Sequence, residues 1–213
     1  MECVVTDIGA PVTIRTNALC YGVSGKAILR DISINTCCDR IGVIGRNGSG
    51  KSTFARLLAG LVAPDQGLVL IDGVDVAADR LAALTTVGIL FQNPDHQIIF
   101  PTVQEEIAFG LRQLGQSMAE VSVKTAEVLQ RFGKSAWADV PVQQLSHGQR
   151  QLLCLMAVFA MAPKAIILDE PFSGLDIPLR RQLSRQIAAL PSTIVHISHD
   201  PSALEDYEHL IWL

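Results

Sequence analysis

A chain of 213 residues that is 49% hydrophobic has room for one α/β domain with a sizeable core and a small insertion. Its formal net charge of −4 and pI near 5.7 argue against nucleic acid or an anionic membrane surface as the main partner. No apolar run reaches the roughly 20 residues of a bilayer span; the longest, Leu152 to Ala162, reads as a core helix that ends at Pro163-Lys164.

The start, Met1-Glu2-Cys3, has neither the basic nor the apolar region of a signal peptide. Val12, Ile14 and Leu19 are spaced like a strand face, and Gly22 to Gly25 read as a turn with Tyr21 in it. Ile28 to Ser33 reads as the returning strand. Five cysteines without Cys-x-x-Cys spacing, two of them adjacent at Cys37-Cys38, indicate reduced thiols in a cytosolic protein.

Ile41-Gly42-Val43-Ile44 reads as a buried strand, and Phe54 to Gly60 as a helix closed by glycine. Between them stands Gly45-Arg46-Asn47-Gly48-Ser49-Gly50-Lys51-Ser52-Thr53. A glycine-rich turn from strand to helix points successive N–H groups into one concavity at the positive end of a helix dipole. Lys51 reaches β- and γ-phosphates from there, and the Ser52 hydroxyl suits Mg²⁺. Side chains at Gly48 or Gly50 are expected to block the phosphates. A chance match to the four fixed positions is expected about once per hundred proteins, and the flanking strand and helix make it rarer. The stretch reads as a nucleotide-binding P-loop.

Gly67 to Gly73 and Val87 to Phe91 read as further strands, the second delivering Gln92; Asn93-Pro94-Asp95 breaks the pattern. Three helical patterns follow. Thr102-Val103-Gln104-Glu105 reads as a capping box, Ala119 to Phe132 as a second helix, and a third begins after Ser146. Lys164 to Glu170 is a buried strand ending in two carboxylates, and Thr193 to Ser198 delivers His199. His209 to Leu213 is the last strand. The spacing predicts a single domain, with residues 1–94 and 162–213 as the nucleotide-binding core and 95–161 as an inserted helical subdomain.

In such sheets ligands gather at the carboxyl ends of strands. The P-loop, Gln92, Asp169-Glu170 and His199 all fall there. A phosphoryl-transfer site needs metal ligands, a group for the attacking water and one for the γ-phosphate. Ser52 and Asp169 fit Mg²⁺, Glu170 the water and His199 the γ-phosphate.

With these motifs in this order, the chain resembles the ATP-binding subunits of ATP-binding cassette (ABC) transporters over nearly all its length. In that family a Leu-Ser-Gly-Gly-Gln motif on the helical subdomain completes the ATP site of a second subunit. Leu145-Ser146-His147-Gly148-Gln149 stands in the matching place, with His147 where the pattern has glycine. A positive φ at that position, or a side chain meeting the nucleotide, would impair the site; retention of Ser146 and Gly148 favours a working one. The resemblance implies the ABC ATPase fold: a P-loop NTPase core with N-terminal antiparallel strands and an inserted α-helical subdomain. It implies ATP and Mg²⁺ as cofactors, held by Asn47, Gly48, Ser49, Gly50, Lys51, Ser52 and Thr53. It has Tyr21 stack on adenine, Gln92 touch Mg²⁺ and attacking water, and Asp176, in Ser173-Gly174-Leu175-Asp176, belong to the loop joining the two sites. Ser146, Gly148 and Gln149 would meet the partner's ATP.

Phe91 to Gly110 further resembles ATPases of energy-coupling factor (ECF) importers of vitamins and transition-metal ions. There the segment after the glutamine lines a groove where a membrane protein docks, and Asp95, Glu105 and Glu106 suit a basic segment. The resemblance implies a peripheral protein on the cytoplasmic membrane face, with transmembrane and substrate-binding partners and, as cargo, biotin ahead of cobalt or nickel. The competing readings are the ATPase of another ABC transporter, a soluble non-transport ABC ATPase and a regulatory module without turnover. Because one chain carries both complementary halves of the site, a homodimer is expected. The sequence stops after its last strand, without the C-terminal extension of many relatives, so isolated subunits are expected to be largely monomeric without ATP.

Overall fold

In the computed structural model, residues 11–207 and 209–213 are described; Met1-Glu2-Cys3 lie outside them. The chain clusters into two units: 1–89, 163–170 and 191–213 form the first, and 90–162 with 171–190 the second.

The first unit opens with β1 (Ile14–Val23) and β2 (Lys26–Thr36), an antiparallel pair turning at Ser24-Gly25. Tyr21 therefore sits on a strand opposite Leu29 and not in the turn. The register shifts between Thr16 and Leu19, with Ala18 at φ 47°. This bulge moves burial from even positions (Val12, Ile14, Thr16) to Leu19. Gly67 makes room for it, because a Cβ there would lie 2.3 Å from the Asn17 carbonyl oxygen.

β3 (Arg40–Ile44) leads through the glycine-rich loop into α1 (Lys51–Leu58), which Gly60 ends at φ 67°. β4 (Gln66–Ile71) and the short β5 (Val74–Asp75) follow, making a four-stranded sheet of order β2-β1-β4-β5. α2 (Arg80–Thr86) is a helix the sequence reading passed over; Asp79 caps it by accepting from the Ala82 amide at 3.0 Å. β6 (Val87–Leu90) borders the second sheet, which β7 (Ala165–Asp169), β8 (Thr193–Ser198) and β9 (His209–Trp212) complete in the order β6-β7-β8-β3-β9.

In the second unit α3 (Val103–Gln113), α4 (Met118–Arg131) and α5 (His147–Ala160) pack through Val103, Ile107, Leu111, Val128, Leu129, Leu152 and Leu155. Thr102 does not form the expected capping box: its hydroxyl donates to Glu105 Oε2 at 2.6 Å and caps no amide. Complete boxes form instead at Ser117 with Glu120 and at Ser146 with Gln149. Cys154 is wholly buried on α5, and burial pushes its thiol far above the ordinary range. All four described cysteines are free thiols.

β7 (Ala165–Asp169) and β8 (Thr193–Ser198) belong to the first unit and run parallel to each other, as does β3 with β8. Between them in sequence, α6 (Ile177–Ala188) falls in the second unit, where Leu179 meets Gly148 and Arg131 donates to the Ala189 carbonyl. β9 (His209–Trp212) is parallel to β3 at the sheet edge. α1 packs on this sheet through Phe54, Leu57 and Leu58, with Val43, Ile167, Val195 and Ile197 in the same core. Burial of such side chains contributes about 1.5–3 kcal/mol each, so the loop between β3 and α1 rests on the firmest part of the unit. Among the described residues no helix is long and apolar enough to cross a membrane.

Candidate functional site: a phosphate-binding loop and paired carboxylates

The loop takes its shape from left-handed glycines. Gly48 has φ 84° and Gly50 φ 97°, the latter standing as the N-cap of α1 without any side-chain cap. The first-turn amides of Lys51, Ser52 and Thr53 thus face out of the helix end with Asn47 and Ser49 before them. Local causes stand beside the expected clearance for phosphates. A Cβ on Gly50 would also lie 2.9 Å from Ile28 and Leu29 side-chain atoms, whereas one on Gly48 meets nothing within 4 Å. Gly48 is demanded by backbone conformation, and Gly50 by conformation and packing.

Lys51 is buried, and its ammonium donates to the Gly45 carbonyl at 2.8 Å and the Arg46 carbonyl at 3.0 Å. The Ser49 amide closes the turn on the Arg46 carbonyl at 3.1 Å. Gly45 lets the chain's last residue approach: a Cβ there would lie 2.6 Å from the Leu213 carbonyl oxygen, and the Leu213 amide donates to Ile44 at 2.9 Å.

Asp169 ends β7 with 5% exposure. Burial holds its carboxyl above the ordinary carboxylate range, while a hydrogen bond from Ser52 pulls it down and Glu170 adds to the rise. Its Oδ1 is buried without a hydrogen-bond partner. A buried carboxylate oxygen left over beside a serine hydroxyl is a hard-oxygen set that suits Mg²⁺.

Glu170 follows in a left-handed backbone, φ 50°, with its amide bonded to the Ile197 carbonyl at 3.0 Å. That turn points its carboxylate toward the end of β8. There Oε1 accepts from the His199 amide at 2.8 Å and contacts His199 Nδ1 at 2.7 Å, while Ser198 Oγ donates to Oε2 at 3.4 Å. P-loop, Asp169, Glu170 and His199 all belong to the first unit. Tyr21 is half-buried on β1 in the same unit, packed against its core.

The second unit holds the remaining expected residues. Gln92 Nε2 donates to Ser173 Oγ at 3.4 Å. Ser146 caps α5: its hydroxyl accepts from the Gln149 amide at 3.3 Å, and Gln149 Oε1 accepts from the Ser146 amide at 2.8 Å. Asp176 caps α6 by accepting from the Leu179 amide at 2.9 Å. His147 is the first residue of α5 and is absent from the positive-φ positions, so its backbone does not call for glycine. Gly148 is likewise absent from them, but a Cβ there would lie 1.9 Å from Leu179 Cδ2, so any side chain requires the flexible end of Leu179 to shift.

Sequence reasoning gave no role to Arg150, Gln97 or Gln151, and set Glu106 beside Asp95 and Glu105 as charge for a basic docking segment. Glu106 is buried and its Oε2 accepts from the Ile99 and Phe100 amides at 2.9 and 2.8 Å. A carboxylate at the fourth position of an amphipathic helix, on its apolar face, was the available signal.

The family profile described as ABC transporter matches residues 31–173. The chain is 49% identical to the biotin transport ATP-binding protein BioM of Rhodobacter capsulatus, over 89% of this chain and 81% of that protein. It is 42% identical to the energy-coupling factor transporter ATP-binding protein EcfA of Methanosphaera stadtmanae, over 65% of this chain and 51% of that one. Among solved structures, that of cbiO1 from Clostridium perfringens, part of the ABC transporter complex cbiONQ, superposes with a TM-score of 0.75. It is 29% identical, and the match covers 89% of this chain and 79% of that one. A glycine loop seated on α1, a buried carboxylate beside Ser52 and the Glu170–His199 pair are thus set in a fold and sequence shared with transport ATPases, and the chain belongs to the ABC transporter family as an ATP-binding, ATP-hydrolysing subunit.

Proposed function

We propose that this chain hydrolyses ATP to drive an ECF-type membrane importer whose cargo is biotin. The observation that carries the cargo is the 49% identity to the biotin transport ATP-binding protein across most of both chains. Ser52 and Asp169 would hold Mg²⁺, with Gln92 as the further contact the family resemblance implies, and the ion would supply charge neutralisation on the phosphates.

The chain's own residues do the rest. Lys51 exchanges its two carbonyl partners for phosphate oxygens, and the amides from Asn47 to Thr53 surround the β-phosphate. Tyr21 stacks on adenine. Glu170 accepts a proton from the attacking water, and His199 holds Glu170 in place and contacts the γ-phosphate. Ser146, Gly148 and Gln149 meet the ATP of a second copy, since the N-terminus of α5 favours an anion; Asp176 fixes the loop beside that helix.

Two copies of this chain form the working pair, and the segment after Gln92 receives the transmembrane partner at the cytoplasmic face. Exposed Ile99 and the acidic Asp95 give that segment apolar and anionic character. The test is uptake of labelled biotin by cells lacking this chain. Wild type restores it and Lys51→Ala does not; restored cobalt or nickel uptake without biotin uptake overturns the cargo. The mass of the purified complex decides between two copies and a pair with another ATPase.

A further inference from the structure

The segment from Phe91 to Phe100 is fastened at both ends. The Phe91 amide donates to Gln97 Oε1 at 3.1 Å, and its carbonyl accepts from Gln151 Nε2 at 3.0 Å. At the far end Glu106 Oε2 takes the amides of Ile99 and Phe100. Between them a single 3₁₀ turn, Pro94–His96, is capped by Asn93, whose Oδ1 accepts from the Asp95 amide at 3.0 Å. These bonds hold the two ends of the stretch to α3, through Glu106, and to α5, through Gln151.

Asp95 stands on that turn with a side chain 58% exposed, 3.1 Å from Nε of Arg150, whose side chain is 24% exposed. The contact is an ion pair without an aligned Nε–H hydrogen bond. The same guanidinium donates through Nη1 to the Leu145 carbonyl at 3.0 Å. Leu145 is the residue before Ser146, which caps α5. One planar fork therefore spans the turn after Gln92 and the peptide that presents Ser146.

We infer that Arg150 is a positioning residue that carries displacement of the Pro94–His96 turn to Ser146. The inference rests on the proposed function for what moves the turn and what Ser146 meets. A basic group of the membrane partner at the water-facing side of Asp95 competes with Arg150 for that carboxylate. The loosened guanidinium then shifts its hold on the Leu145 carbonyl, and with it the cap of α5. Because the ion pair is half-exposed and imperfectly aligned, exchange of its partner is easy.

The test compares ATP hydrolysis by the chain alone and by the complete complex with its membrane subunits, for wild type, Arg150→Met, Asp95→Asn and the double variant. Expected is at least a fivefold loss of the stimulation that assembly gives, in each single variant, with KM for ATP within twofold of wild type. The double variant is expected to lose no more than either single one, as for two groups acting as a unit. Arg150→Lys recovers part of the stimulation, since an ammonium reaches Asp95 without spanning both partners. Unchanged stimulation in Arg150→Met, losses that multiply in the double variant, or a KM that rises in step each overturn the role. A wild-type chain that joins no membrane subunit counts against the proposed function instead. The tether is then judged on the chain alone by hydrogen exchange at the Leu145–Gln149 amides: faster exchange in Arg150→Met and in Asp95→Asn supports it, and exchange unchanged in either overturns it.

Discussion

Oε1 of Glu170 serves His199 twice, accepting from its amide at 2.8 Å and lying 2.7 Å from its ring Nδ1. Among the described residues Oε2 has a single long bond, 3.4 Å from Ser198 Oγ, and is the more open oxygen. Glu170→Gln keeps the size but removes the base, and turnover is expected to fall about a hundredfold or more while Mg-ATP stays bound. His199→Ala removes the ring and lets the carboxylate swing. The double variant should be no slower than the slower single one. Steady-state hydrolysis and ATP retention check all three; near-native hydrolysis by Glu170→Gln removes Glu170 from the role of base.

Lys51→Ala withdraws the ammonium from the Gly45 and Arg46 carbonyls as well as from phosphate. The expected result is an ATP Kd raised about tenfold or more, equal to at least about 1.4 kcal/mol. Titration calorimetry with ATP and with adenosine separates the contributions: adenosine binding should change little.

The two central positions of the signature motif are expected to respond in opposite ways. His147→Gly replaces a residue with ordinary helical backbone, so hydrolysis should change less than tenfold, about 1.4 kcal/mol in the barrier. Gly148→Ala brings a methyl against the movable end of half-buried Leu179 and should destabilise the protein by an amount toward the low end of about 1–3 kcal/mol, read as a lower urea midpoint. Adding Leu179→Ala to Gly148→Ala should return part of that loss. Equal midpoints for wild type and Gly148→Ala would show that Leu179 moves aside at no cost.

Asp169 offers a pH test. Its carboxyl is held above the ordinary range by burial, so the fold favours the protonated form. The protonated form is favoured below the unfolded value near 3.9, and that advantage disappears as pH rises through the higher folded value. At pH 7 the buried charge is a net liability without a cation. Asp169→Asn should therefore raise the thermal midpoint in chelator at pH 7, and the gain should vanish near pH 3. Mg-ATP should raise the wild-type midpoint more than that of the variant. A variant less stable than wild type at pH 7 in chelator would contradict this reading.

Much of this was legible because strand ends and glycine loops leave local marks: Ile41–Ile44, the loop to Thr53 and Ile166 to Glu170 are short-range signals. The capping box was assigned to Thr102 when Ser117 and Ser146 form the complete ones, because the pattern cannot show whether the hydroxyl faces the amide or the carboxylate. Tyr21 was read into the turn because nearby glycines resemble turn residues, but Gly22 pairs with Ala27 within the sheet. Long-range causes were invisible: the crowding around Gly148 comes from Leu179, 31 positions away in the sequence. The link from Asp95 to Arg150 spans 55 positions and has no periodic signature.

Trp212 is opposite Ile44 in the β3–β9 register, 74% exposed, and the residue after it seats its carbonyl against Gly45. Trp212 is thus one residue from the close approach of Leu213 to Gly45, where the nucleotide loop begins. Of the chain's two tryptophans, the other, Trp137, belongs to the second unit. With Trp137→Phe in place, the emission of Trp212 is expected to shift as ATP fills the loop, a signal free of any attached dye.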